Sequence, residues 1–336
     1  MKIKGNKKII IACDLFLNLQ LYNLPPVYKK KIQCDFPLVD IIPVNIPPKN
    51  FIYKMADIYW GNRINENIIK KMPNLKWIHF GSVGVNHARN KYVFDRKIII
   101  TNSKGLVVEP MTASAISFIF SLARGFHRSA HLRHEKKFGR KSFDKYFRNI
   151  EDVFGQKCLI VGYGDVGKSL ARILKKLDVD ISVISRSIIK PNDIISKSYL
   201  LKDLDLAVTD SDYVINLLPL NTNTRKVFNA KVFSQMKKNS FFINIGRGET
   251  VEQNSLIEVL NGNKIAGAGL DVFENEPLSQ NSELIKMKNV IITPHVAGLS
   301  KNYWKKQYGL FVRNLNYFLN GEILKMQNII DMKKEY

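Results

Sequence analysis

The chain has 336 residues, enough for two domains of ordinary size, and its 45% hydrophobic content supports a core in each. A formal net charge of +23 invites a polyanionic partner, yet Lys, Ile and Asn are frequent along the whole length, which points to compositional drift and not to a nucleic-acid face. Three scattered cysteines (Cys13, Cys34, Cys158) give neither a disulfide framework nor a zinc spacing and fit a reducing cytoplasm, and no apolar run approaches the roughly 18 residues a membrane span needs.

Residues 7–12 are expected to form the first strand of an α/β unit. The lysines before the apolar run 9–17 imitate a secretion signal, but Asp14 interrupts that run and no small-residue cleavage pattern follows. Pro25, Pro26, Pro37, Pro43, Pro47 and Pro48 leave the section to about residue 50 weakly determined. A short strand is expected over 57–60, a short helix over 65–71, a strand over 75–80, the loop G-S-V-G-V-N over 81–86 and a strand over 97–101. Pro110 can open a helix with a broad apolar face over 111–126. His127, His131 and His134 follow at helical spacing, but Arg128, Arg133, Lys136 and Lys137 would repel a cation, so a solvated helix end is expected and no metal site.

The strand 158–161 runs directly into Gly162-Tyr163-Gly164-Asp165-Val166-Gly167. An amphipathic helix follows, with Val166, Leu170, Ile173, Leu174 and Leu177 on one side, and then a strand over 180–185. A lone G-x-G-x-x-G is weak evidence; between a strand and a helix, in a βαβ unit of this length, it is the fingerprint of a dinucleotide site. Its glycines make the tight turn, let the backbone approach a pyrophosphate and allow close helix–strand packing. NAD-preferring sites end the second strand in an acid that binds the ribose 2′-hydroxyl. Here that place holds Ser185, followed by Arg186 and Ser187, which removes repulsion against a 2′-phosphate and offers it a counter-charge. An ordinary solvated arginine would give the same sequence.

A strand over 213–217 leads into L-P-L-N-T-N-T, and three more apolar runs, 241–245, 265–273 and 290–293, are read as buried strands. They lead into N-I-G-R-G-E-T-V, L-D-V-F-E-N-E-P-L and T-P-H-V-A-G, and a helix over 302–319 closes the pattern. Arg247, Glu276 and His295 then sit just past the carboxyl ends of neighbouring strands, the edge at which open α/β sheets bind ligands. The trio suits interconversion of a 2-oxo acid and a 2-hydroxy acid. Arg247 matches a carboxylate and can polarise the adjacent carbonyl. His295 can protonate the alkoxide that hydride arrival leaves, and Glu276 can hold the imidazolium. Three isolated residues could equally be an ion-pair cluster fastening loops; three ordered motifs together favour a site.

These motifs resemble the D-isomer-specific 2-hydroxyacid dehydrogenase family, over nearly the whole chain and most specifically from Val153 to Gly298. The resemblance implies that Arg247 orients substrate, that His295 is the acid/base and that Glu276 is its partner. It also implies that the backbone N–H groups of Val83 and Gly84 take the substrate carboxylate. Cofactor contacts are implied at Gly162, Gly164, Asp165, Val166, Gly167, Ser185, Arg186, Ser187, Leu218, Pro219, Thr224, Ile245, Gly246, Asp271, His295 and Gly298, with Asp271 at the nicotinamide end. Where the family commonly has a glutamate early in the long helix, this chain has Ser114.

The implied fold is α/β, with two Rossmann-like or flavodoxin-like parallel-sheet domains and the active site in the cleft between them. A discontinuous substrate-binding domain would take 1–105 plus 300–336, and a dinucleotide-binding domain 106–299, with hinges near 104–110 and 297–300 whose closure excludes water. The S-R-S run is similar to that of NADPH-preferring glyoxylate/hydroxypyruvate reductases, so the expected enzyme is a cytoplasmic, homodimeric reductase of a small 2-oxo acid using NADP, with NAD as the alternative. A phosphoglycerate dehydrogenase-like enzyme and a cofactor-sensing, corepressor-like protein on the same fold are the competing readings.

Overall fold

Apolar, β-branched runs form parallel strands in both halves of the chain. The computed structural model describes residues 8–15, 23–45, 49–84, 93, 95–146 and 150–331. The chain divides into two units, Met1–Leu106 with Ser300–Tyr336, and Val107–Leu299.

In the first unit, strands β1 (Ile9–Cys13), β2 (Val39–Pro43), β3 (Ile58–Gly61), β4 (Trp77–Phe80) and β5 (Ile99–Thr101) pair in parallel in the order β2-β1-β3-β4-β5. This is the flavodoxin-like order, with its reversal between β1 and β3. Alternate residues of the central strands go to opposite faces. Tyr59, Ile78 and Phe80 pack with Ile69 and Met72 on one side. Trp60 and Trp77 meet Phe311, Leu315 and Phe318 of the helix Tyr303–Leu319 on the other. The Trp60 and Phe311 rings stack with centroids 3.8 Å apart, a contact of about 0.5–1.5 kcal/mol beyond its area.

The proline-rich section holds three elements that its composition obscured. They are a helix Pro26–Asp35, the strand β2 and a helix Lys49–Met55. The described prolines stand at the ends of these elements or between them and not in their interiors. Pro26 takes the first helical position, where no N–H is needed. Pro43 ends β2, an edge strand. Lys7, residues 16–17, Pro47, Pro48, Val85 and Asn86 lie outside the described residues.

The second unit carries β6 (Lys157–Val161), β7 (Asp180–Ile184), β8 (Lys197–Tyr199), β9 (Tyr213–Asn216), β10 (Phe241–Asn244), β11 (Gly267–Leu270) and β12 (Val290–Ile292), all parallel. Their order is β12-β11-β10-β9-β6-β7-β8. Counted from β8, the first six follow the dinucleotide-binding order 3-2-1-4-5-6, with the reversal between β6 and β9.

The long helix runs Val108–Ala123, with Pro110 in its first turn. It stops short of the expected Phe126 because Gly125 turns left-handed (φ 66) and a separate helix, Phe126–His134, begins. Ala115, Phe118, Ile119 and Leu122 join the core on this face of the sheet. Phe118 fits because β11 has Gly269 beneath it; a Cβ there would lie 2.7 Å from the ring. In the helix Asp165–Lys175, Leu170, Ala171 and Leu174 are buried, whereas Ile173, expected inside, is 39% exposed. No helix among the described residues is long and apolar enough to cross a membrane.

Candidate active site

The turns leaving β10, β11 and β12 carry Arg247, Glu276 and His295. His295 Nδ1–H donates to Glu276 Oε2 at 2.6 Å, and the other carboxylate oxygen accepts the Phe273 N–H at 3.0 Å. Both side chains are partly exposed, 50% for His295 and 34% for Glu276. Exposed ion pairs contribute only about 0–1 kcal/mol to stability, so the pair matters for what it does to the imidazole.

The hydrogen bond to Glu276 and its charge hold the His295 pKa above the ordinary value, against burial and the Arg247 charge. For Glu276, burial pushes upward, but the His295 and Phe273 hydrogen bonds and the charges of His295 and Arg247 outweigh it, and its pKa is lowered. Arg247 therefore acts electrostatically on both partners, and the three groups form one cluster. With Nδ1 committed to Glu276, Nε2 is the nitrogen left to exchange a proton with a ligand.

His295 sits at a left-handed backbone position, φ 56, a conformation that costs a non-glycine residue on the order of 1 kcal/mol. Asp271 holds it there. The Asp271 carbonyl accepts the His295 N–H at 2.8 Å, and its 99%-buried carboxylate accepts the Thr293 hydroxyl and the Val296 and Ala297 N–H groups. Strand β11 consequently ends at Leu270, short of the expected 273. Asp271 thus fastens the histidine loop, beyond the cofactor contact the sequence implied. Ser114 adds a tether, donating to Ala297 O at 3.2 Å.

The Arg247 turn is equally fixed. Its guanidinium donates to Gly246 O at 2.7 Å. Gly248 is pressed against β11's continuation so closely that a Cβ would fall 1.8 Å from Phe273 O.

The glycine loop has the expected form. Gly162 follows β6 at φ 107, and Gly167 packs so near it that a Cβ would be 2.5 Å from Gly162 O. Gly164 precedes the helix Asp165–Lys175 and has open space where a side chain would stand, with Asp165 and Val166 in the helix's first turn. A helix N-terminus of this kind could hold a pyrophosphate. Past the end of β7, the Ser185 hydroxyl donates to Ser187 O, closing a small turn that leaves Arg186 exposed. The L-P-L loop is shaped by Leu218 N–H to Asn216 Oδ1 (3.1 Å) and by Thr224 Oγ1 to Pro219 O (2.6 Å). Ile245 and Gly246 are buried in the next turn, and Gly298 lies in the second unit against Val107 and Met111.

In the first unit, Asn102 Nδ2 donates to Val83 O at 2.7 Å and Ser82 Oγ to Gly84 O at 3.0 Å, which holds the S-V-G loop in shape. Of the three helical histidines, His127 is not solvated as expected. It turns inward, bonds Ser121 O at 3.1 Å, and burial lowers its pKa to about 4. His131 pairs with Glu135. No His/Cys/Asp/Glu cluster among the described residues could hold a metal ion.

Sequence reasoning missed Asn216, Thr250 and Thr293, which support these turns from below. The available signal was that two apolar strands, Y-V-I-N and F-F-I-N, both end in asparagine.

Comparison with known proteins identifies the family. Residues 116–297 match the family model described as D-isomer specific 2-hydroxyacid dehydrogenase, NAD binding domain. A probable 2-ketogluconate reductase of Dictyostelium discoideum is 32% identical over 266 residues, 78% of each chain. A glyoxylate/hydroxypyruvate reductase B of Salmonella paratyphi A is 31% identical over 267 residues, 78% of this chain and 80% of that one. Among solved structures, an NADPH-dependent glyoxylate/hydroxypyruvate reductase of Sinorhizobium meliloti in complex with NADP and sulfate superposes with a TM-score of 0.78 at 23% identity, over 98% of this chain and 100% of that one. With parallel sheets in these orders, a glycine turn at the strand reversal and the Arg–Glu–His cluster at the same edge, the chain belongs to the D-isomer specific 2-hydroxyacid dehydrogenase family of nicotinamide-dependent oxidoreductases.

Proposed function

We propose that the protein reduces small 2-oxo acids, glyoxylate and hydroxypyruvate foremost, to 2-hydroxy acids with NADPH as hydride donor. The observation that carries this reading is the 2.6 Å His295–Glu276 pair beside Arg247. The bound nicotinamide supplies the hydride. Arg247 pairs with the substrate carboxylate and polarises the neighbouring carbonyl, and in the first unit the backbone N–H groups of Val83 and Gly84 are carboxylate donors in the same reading. His295 Nε2 gives its proton to the oxygen as negative charge develops there, while Glu276 keeps the resulting imidazole oriented. In the oxidation direction the neutral ring takes that proton back.

The glycine turn with Asp165 and Val166, the L-P-L loop with Thr224, and Ile245, Gly246, Asp271 and Gly298 form the cofactor side of this reading. The unit Val107–Leu299 is then the dinucleotide-binding domain, and Met1–Leu106 with Ser300–Tyr336 the substrate-binding domain. The protein acts in the cytoplasm as a homodimer, and its excess positive charge serves no nucleic-acid partner.

Initial rates over a panel of 2-oxo acids, with NADPH and NADH in parallel, test the activity, and light scattering tests for a particle of twice 38.6 kDa. Absence of turnover on every acid in the panel would refute the enzymatic reading, and a monomeric mass the assembly.

The raised pKa of His295 sets the pH dependence. Reduction needs the imidazolium, so its rate declines as pH rises through the pKa that Glu276 elevates. Glu276→Gln removes the stabilising charge, and the decline of reduction should begin at a lower pH than in the wild type. Oxidation, which needs the neutral ring, should suffer less near neutrality. Profiles of kcat/KM against pH in both directions check this, and coincident profiles for the two proteins would remove Glu276 as the partner.

A further inference from the structure

Strands β9 and β10 end in asparagines that face each other in register, Asn216 opposite Asn244. Both are buried, as is Thr250. A carboxamide in an apolar core is unfavourable unless its hydrogen bonds are made, and Asn216 makes them in two directions. Its Oδ1 accepts the Leu218 N–H at 3.1 Å, the first residue of the L-P-L loop. Its Nδ2 donates to Asn244 Oδ1 at 3.0 Å and to Thr250 Oγ1 at 2.7 Å.

From those two groups the network closes on Arg247. Thr250 Oγ1 donates to Arg247 O at 2.6 Å, and Asn244 Nδ2 reaches the same oxygen at 3.4 Å. Asn244 Oδ1 also accepts the Gly246 N–H at 3.1 Å. The two loops touch directly as well: a Cβ on Gly246 would lie 2.8 Å from Leu218 O. One buried carboxamide is thus bonded to the cofactor loop on one side and, through the side chains of Asn244 and Thr250, to the backbone of the Arg247 turn on the other.

We infer that Asn216 and Thr250 are positioning residues, which hold Arg247 in its carboxylate-binding place and tie that place to the cofactor loop. The inference rests on the reading of Arg247 as the carboxylate-binding group. Neither side chain touches substrate; both act through the backbone of the arginine turn. The hold of Arg247 on the carboxylate is made in the ground and transition states alike, so its loosening raises KM, whereas its polarisation of the carbonyl counts in kcat.

The test compares Thr250→Val, Thr250→Ser and Asn216→Ala with the wild type. The measurements are KM and kcat for a 2-oxo acid that the wild type reduces, the Kd of oxalate as a non-reacting carboxylate probe, the Kd of NADPH, and Tm. Thr250→Val keeps the shape and removes the hydroxyl with its two hydrogen bonds, to Asn216 and to Arg247 O; it should raise KM and the oxalate Kd about tenfold, the part of that loss in a buried network that reaches carboxylate binding, with the NADPH Kd unchanged. Thr250→Ser keeps the hydroxyl and should restore both values. Asn216→Ala frees both loops and should weaken oxalate and NADPH together.

Wild-type oxalate affinity in folded Thr250→Val, equal impairment of the valine and serine variants, or a lowered Tm with unchanged KM and oxalate Kd would each overturn the inference. If Asn216→Ala does not fold, the Thr250 pair decides alone. Arg247→Ala separates the two levels. Oxalate binding that survives Arg247→Ala refutes the reading of Arg247 itself, whereas oxalate binding lost in Arg247→Ala and intact in Thr250→Val refutes only the positioning role.

Discussion

Replacement of His295 by alanine is expected to lower kcat/KM for reduction of a 2-oxo acid by about 10²-fold or more, the contribution that a positioned acid makes to proton transfer. The structure sharpens the expectation. The imidazole is committed through Nδ1 to Glu276 and held at a left-handed backbone position by Asp271, so a water entering the vacated space would lack both the raised pKa and the orientation. Arg247→Ala should cost a similar factor, because a carboxylate loses its forked partner and the carbonyl its polarising charge. NADPH affinity, read by fluorescence titration, should be largely unchanged in both. Near-wild-type reduction by either variant on every 2-oxo acid tried would rule out the mechanism.

The second large effect concerns the cofactor. Ser185 leaves β7 without a carboxylate, and the small turn it makes with Ser187 leaves Arg186 exposed to meet a 2′-phosphate. One charge-assisted contact is worth about 1.5–3 kcal/mol, or roughly 10- to 150-fold in affinity. Arg186→Ala should weaken NADPH by that factor and hardly alter NADH. Ser185→Asp should go further and reverse the preference, since it adds repulsion against the phosphate and a ribose contact for NADH. The ratio of kcat/KM for NADPH over NADH in the three proteins is the measurement. A wild-type ratio below one would mean that Ser185 and Arg186 do not make the choice.

Much of this was legible in the sequence because the site lies where strong periodic signals end. The runs F-F-I-N-I, A-G-A-G-L and V-I-I are apolar enough to be recognised as buried strands, and Arg247, Glu276 and His295 follow them at the edge where ligands bind. The helix Pro26–Asp35 escaped because three successive lysines interrupt any apolar stripe and it has a single buried residue, Ile32. Strand β8 escaped because K-S-Y is a three-residue polar edge. The break after Ala123 came from one glycine in a left-handed conformation, and His127 was misread because basic neighbours hid its inward turn. The Asn216–Asn244–Thr250 network could not be read from spacing, since it forms across strands whose register only the folded sheet defines.

The unit Val107–Leu299 is one unbroken length of chain, whereas the other unit is assembled from the segments on either side of it. The stretch matched by the family model falls wholly inside that length, and so do the glycine turn, Ser185, Arg186, Arg247, Glu276 and His295. At the level of the gene, this makes the unit Val107–Leu299 a cassette. Two junctions suffice to move it, and whatever recombination carries His295 carries Ser185 and Arg186 along with it.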